Sequence, residues 1–210
     1  MTAFVLHRQS LHRTQRRRKT LIRVLAVLTL PLILMADASA DSDSIWRQSI
    51  EMLGLLFIVL GLLGRAWCSL YIGGRKSRQL VTVGPYSMSR NPLYLFSLVA
   101  TAGLGAQTGS IVIALLAFLG AWLVFWPVIR HEEEILAKLF PTDYPDYRAR
   151  VPRLMPDIRR WADVGHLYVN PRLYRRTVLD SLVWLVLVPP VRLVGLLHES
   201  GILPVWIVLP

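Results

Sequence analysis

Cysteine is all but missing. Cys68 stands alone among 210 residues, which excludes a disulfide-stapled scaffold. Charge is scarce as well: 18% of residues are charged, against about 25% in soluble domains. Acidic groups are the scarcer sign, with 13 Asp and Glu against 24 Lys and Arg. His7, His12, His131, His166 and His198 are scattered, and none forms a ligand pair with a cysteine or a second histidine, so no metal site is expected. Apolar residues make up 54% of the chain. A disordered tail needs low hydrophobicity. A nucleic-acid binder could carry the charge but not the long apolar runs. What remains is a small integral membrane protein with basic material on one side and no nucleic-acid partner.

Four apolar stretches stand out: Leu21 to Ala36, Met52 to Ile72, Leu93 to Ala106 and Ile111 to Ile129. A membrane span needs roughly 20 mostly apolar residues. The second and fourth meet this, and the third is short. A polar turn with two glycines, Gly105 to Ser110, makes the third and fourth a tight transmembrane hairpin. A fifth apolar zone, Val178 to Leu197, contains Pro189-Pro190. Adjacent prolines argue for a broken or interfacial helix there. The fold class expected is therefore an all-α integral membrane protein. It has about four core transmembrane helices, cytoplasmic C-terminal helices and a broken apolar tail helix.

Residues 1–47 form a basic arm and first span. Arg16 to Lys19 before an apolar run, with Ala38-Ser39-Ala40 after it, also fit a signal segment. Residues 48–160 form the core, and residues 161–210 a basic, Pro-broken tail. Lys and Arg crowd the N-terminal arm, the 73–92 loop and the region after 130, while the other loops are poor in them. By the positive-inside bias those three regions lie in the cytoplasm. Arg65 interrupts the second stretch; near its cytoplasmic end, it is expected to snorkel to the headgroups.

The informative residues fall in two cytoplasmic segments. One reads Gly84-Pro85-Tyr86-Ser87-Met88-Ser89-Arg90-Asn91-Pro92-Leu93-Tyr94. Pro92 suits the first turn of a helix. Arg90 and Asn91 then stand at a helix entrance, where a carboxylate or phosphate binds well; the plainer reading is a basic anchor and a cap. The other segment carries Glu132, Glu133 and Glu134, then Tyr144 and Tyr147 at helical spacing, then Arg153. Acidic residues beneath a basic surface point to partners. The plainer readings are a solvated helix face with Glu134 paired to Lys138, and interfacial anchoring for the tyrosines. Gly103-Leu104-Gly105 reads best as helix packing.

The pattern Gly-Pro-Tyr-x-x-x-Arg-Asn-Pro-x-Tyr, a membrane hairpin, Glu-Glu-x-x-Leu-x-x-x-Phe, and Tyr-x-x-Tyr-x-x-x-Val-Pro-Arg resembles the isoprenylcysteine carboxyl methyltransferase family. That family sits within a wider group of membrane phospholipid methyltransferases. The resemblance covers about residues 50 to 156. It implies an enzyme dependent on S-adenosyl-L-methionine, with its pocket at the cytoplasmic helix ends and no Rossmann domain, which agrees with the lack of a strand–Gly-rich–helix unit. Carried over by position, Tyr86, Arg90, Asn91, Pro92, Tyr94, Glu132, Glu133, Tyr144 and Tyr147 would bind the cofactor. Glu133 and Arg153 would serve catalysis, Arg153 orienting a carboxylate acceptor and Glu133 accepting a proton from an amine. Asn91 stands where the family commonly has His, and so cannot act as a titrating base. The partner implied is a lipid or lipidated acceptor in the membrane. Two alternatives remain: a phospholipid amine N-methyltransferase, and a non-catalytic scaffold holding anionic lipid.

Overall fold

The computed structural model describes residues 36–38, 44–73 and 79–209. The basic arm and the expected span from Leu21 lie outside the described residues, apart from a short strand at Ala36–Ala38. The helices are α1 (Ile45–Ile72), α2 (Pro85–Met88), α3 (Pro92–Ala106), α4 (Ile111–Leu139), α5 (Asp143–Arg150), α6 (Pro171–Ser181) and α7 (Val183–Glu199). One parallel pairing, Ala36–Ala38 with Ile207–Leu209, is the only strand contact among the described residues.

Helix α1 has 28 residues, about 42 Å at 1.5 Å per residue, which exceeds the roughly 30 Å hydrocarbon layer. Helix α4 has 29. Among the described residues, three stretches are long and apolar enough to cross a membrane: α1, α4 and the combined run Pro171–Glu199. Helix α3, with 15 residues, is shorter. Leu53, Leu56, Leu60 and Leu63 of α1 and Leu115, Leu119 and Leu123 of α4 point outward. So large an apolar surface is stable only against lipid, and the chain is an integral membrane protein.

Lipid gives helices no hydrophobic reason to associate, so close packing must hold them together. Small residues supply it at the α1–α3 seam. A Cβ on Gly61 would lie 2.6 Å from the Ala100 Cβ, and one on Gly103 would lie 2.5 Å from the Gly54 carbonyl oxygen. A Cβ on Gly105 would come within 2.8 Å of the Ala114 Cα in α4. The Gly103-Leu104-Gly105 run thus packs helices, as its position suggested. The α3–α4 turn is as short as expected, and the Ser110 hydroxyl accepts the Ile113 N–H to cap α4.

Three expectations about the tail and Arg65 are corrected. Pro189 and Pro190 lie inside α7, which continues through them. The pair removes two backbone donors and crowds the preceding turn, yet proline's φ is near the helical value and the helical path is kept. Second, the chain after residue 130 does not all stay at one end of the molecule. The uncharged run Val183 to Val191 carries α7 back to the start of α1, where Glu199 lies 3.4 Å from Arg47 and Arg192 lies 3.1 Å from Glu51. Third, Arg65 does not snorkel. It is buried, donates to the hydroxyls of Ser181 (2.9 Å) and Ser97, and stands 5.0 Å from the Trp184 ring centroid. Ser181 and Trp184 belong to the tail, so the tail helices occupy the route Arg65 would take outward.

Candidate functional site

The site begins with a turn that the sequence forces. Gly84 has φ +61°, and a Cβ there would lie 2.3 Å from the Tyr71 ring; only glycine fits. Pro85 then opens the one-turn helix α2, which buries Tyr86. After Ser89 the chain re-enters the membrane at Pro92, the first residue of α3, as its type predicts. The 152–157 segment runs beside this entrance. Pro152 and Met88 carbonyls accept the Arg90 and Asp157 N–H groups, and the Ser89 hydroxyl donates to the Leu154 carbonyl.

Helix α4 does not stop at the end of its apolar stretch but continues to Leu139. That brings Glu132 and Glu133 to the end of the bundle that holds the Gly84 turn. Consecutive helical residues point about 100° apart, and the two carboxylates diverge accordingly. Glu132 faces a cleft, while Glu133 is buried at 7% exposure. Glu133 is the centre of an ionic clamp. Its Oε1 accepts from Asn91 Nδ2 at 3.0 Å and lies 3.4 Å from Arg90 Nε. Its Oε2 accepts from Arg153 Nη2 at 2.9 Å and Nε at 3.1 Å. The Arg153 guanidinium also covers the Trp126 ring at 5.0 Å. Asn91 donates a second bond to the Arg153 carbonyl. The amide thus supplies the donor that joins these segments without a titrating group.

Tyr144 and Tyr147 are not interfacial anchors. Both are buried, with Leu136, Phe140 and Val151 around them. Tyr147 donates its hydroxyl to the Tyr86 carbonyl at 2.8 Å, whereas the Tyr144 hydroxyl has no hydrogen-bond partner. Burial pushes the Tyr144 phenol up to about 12 and raises those of Tyr147 and, more strongly, Tyr86. All three are neutral donors at physiological pH.

The cleft between these elements is walled by Tyr86, Arg90, Asn91, Tyr94, Glu132 and Tyr147, together with apolar groups such as Leu93, Ile135 and Leu136. Six of the residues expected from sequence therefore converge on one cavity. Pro92, Glu133, Tyr144 and Arg153 stand outside its wall. The wall residues missed are Ile72, Gln79, Leu80 and Val81 before the Gly84 turn, and Leu93, Ile135 and Leu136 on α3 and α4. All but Gln79 are apolar, so residue type gives no signal for them. The Tyr86 hydroxyl is buried in this wall without a partner.

Fold and site together define an integral membrane protein with a mixed polar and apolar cleft at one end of its bundle. The chain belongs to the phospholipid methyltransferase family, whose model matches residues 50–143, and which is the wider group its motifs resemble. It is 35% identical over 185 residues to the nickel-cobalt-cadmium resistance protein NccN of Alcaligenes xylosoxydans xylosoxydans, covering 88% of this chain and 86% of that one. It is also 35% identical to the cobalt-zinc-cadmium resistance protein CzcN of Cupriavidus metallidurans, over 84% of this chain and 82% of the relative. No solved structure matches it closely.

Proposed function

We propose that the protein transfers a methyl group from S-adenosyl-L-methionine to a lipidic acceptor. The observation that carries this reading is the cleft itself, in which Tyr86, Arg90, Asn91 and Glu132 share a wall with apolar groups. A cofactor with an α-carboxylate, an α-ammonium and an adenine needs such a mixture. When bound, it supplies an electrophilic methyl on a sulfonium. Arg90 suits the carboxylate, Glu132 the ammonium, and the neutral Tyr86 phenol donates one hydrogen bond.

Glu133 has a different task from the one its motif suggests. Both its oxygens are engaged by Asn91, Arg90 and Arg153, so it positions those groups and is badly placed to take a proton. Arg153 is 28% exposed and suits an anionic headgroup such as the carboxylate of an isoprenylcysteine-type acceptor. For an amine acceptor, Glu132 on the cleft wall is the better-placed base. Alignment of acceptor and methyl would supply much of the acceleration. The end carrying Arg148, Arg150, Arg159, Arg160, Arg172 and Arg175 faces the cytoplasm by the positive-inside bias, which gives a soluble cofactor access. The relatives' names place those proteins in resistance to nickel, cobalt and cadmium and to cobalt, zinc and cadmium; a methylated membrane constituent is our own proposal for this chain.

Calorimetry with S-adenosyl-L-methionine on the detergent-purified protein tests the reading. Saturable binding is expected, weakened about fivefold to tenfold in Tyr86→Phe and Glu132→Gln, corresponding to one lost hydrogen bond each. No heat from folded protein, with acceptor lipid also supplied, would favour the scaffold alternative.

A further inference from the structure

We infer that Trp161–Asp163, at the start of the tail, is a positioning strap for the cleft. It holds the Gly84–Ser87 turn and so fixes the aim of Tyr86. The inference deepens the methyltransferase reading and rests on it only where cofactor affinity is the readout.

Two side chains one turn apart on α1 seat the strap. The Trp161 ring stacks on Trp67 at 5.5 Å with 30° between planes. Tyr71, four residues on and so on the same helix face, donates its hydroxyl to Asp163 Oδ1 at 2.9 Å. Ala162, between them, reaches the turn through its backbone. Its carbonyl accepts the Gly84 N–H at 2.7 Å, and its N–H donates to the Ser87 hydroxyl oxygen at 3.0 Å. The Ser87 hydroxyl in turn donates to the Gly84 carbonyl at 2.7 Å. Both ends of the turn are therefore held by one strap residue, and Tyr86 lies between those ends.

The opposite side of the turn is held differently. Tyr147 of α5 bonds the Tyr86 carbonyl, and the Tyr71 ring fills the space where a Gly84 side chain would stand. Tyr71 thus supports the turn from beneath and the strap from its hydroxyl. Gly84 is the one position in the turn with a left-handed backbone, where the chain has the most freedom to lose. A hydrogen bond to its N–H is the support it most needs. The strap lies beyond residue 143, where the family match ends, so this chain sets the geometry of a family cleft with residues outside the matched region.

The test uses the full-length protein in detergent with Trp161→Ala, Trp161→Phe and Tyr71→Phe. Hydrogen exchange at the Gly84 amide reads the strap directly, and S-adenosyl-L-methionine affinity reads its consequence. Trp161→Ala is expected to speed Gly84 exchange at least about tenfold and to weaken cofactor binding by about tenfold, with exchange inside α3 and α4 unchanged. Trp161→Phe, which keeps a ring on Trp67, should restore most of both. Tyr71→Phe, which keeps the ring beneath Gly84 and removes only the hydroxyl donated to Asp163, should give a smaller change of the same sign even if Trp161→Ala fails to fold. Unchanged Gly84 exchange in these variants overturns the strap. Faster exchange with unaltered affinity overturns its role in positioning. A wild-type protein that binds no cofactor overturns the cofactor reading alone, and exchange then decides the strap.

Discussion

Glu133 shows how packing engages a residue in contacts that its motif does not reveal. Paired glutamates below a basic surface invite an acid–base reading. Their different directions on α4 separate them, so that Glu132 walls the cleft and Glu133 binds two guanidinium groups and an amide. Removing the carboxylate would leave Arg90 facing no charge at a buried site. Breaking a buried pair in this way costs about 3 kcal/mol or more. Glu133→Ala is therefore expected to lower the thermal midpoint in detergent clearly, and Glu132→Gln much less, while Glu132→Gln weakens cofactor binding. Equal midpoints for the two variants would remove the clamp assigned to Glu133.

Among the elements, α5 is the small helix that locks the cleft to the bundle. Its two tyrosines look alike in sequence and differ in what they touch. Tyr147→Phe removes a hydrogen bond to the Tyr86 carbonyl and should cost about 1 kcal/mol. Tyr144→Phe removes a hydroxyl that has no partner and should be neutral or stabilising. pH separates them further. The folded protein holds the Tyr144 phenol above its ordinary value, near 12, so it keeps a proton that the unfolded chain gives up near pH 10. The contribution of Tyr144 to stability should be constant below about pH 10 and fall as the pH rises toward about 12. Tyr144→Phe should flatten that fall, as a denaturation series from about pH 8 to about pH 11.5 would record; an unchanged slope would contradict the burial effect. The α1–α3 seam is more legible. Small residues spaced along apolar runs, such as Gly54, Gly61 and Gly103, mark where two backbones approach closely.

The whole molecule has two ends joined by the tail. At one end Trp161–Asp163 grips α1 and the Gly84 turn; at the other, Arg192 and Glu199 meet Glu51 and Arg47. Between them Ser181 and Trp184 contact Arg65. If α7 crosses the membrane with the cleft end in the cytoplasm, a single cysteine at Ser200 in a Cys68→Ser background should be labelled by an impermeant reagent from outside. One at exposed Asp146 should be labelled only after permeabilisation. The reverse pattern would invert the orientation.

The membrane class, the hairpin, the helix entrance at Pro92 and six residues of the cleft wall are all legible in the order of residues. Apolar length, proline position and motif spacing are local properties, and lipid enforces helical hydrogen bonding wherever an apolar run enters it. The Gly103 contact is legible too, because close packing in lipid favours small side chains. Other features exist only once the helices have packed. Arg65 departs from its expected snorkelling because Ser181, its partner, lies 116 positions along the chain. Pro189 and Pro190 sit in a helix that tolerates them. Glu133 has both oxygens engaged, and Trp161 straps the turn, each because segments remote in the chain meet in space. Chain order states which residues are neighbours along the backbone and leaves such meetings to the packing of helices.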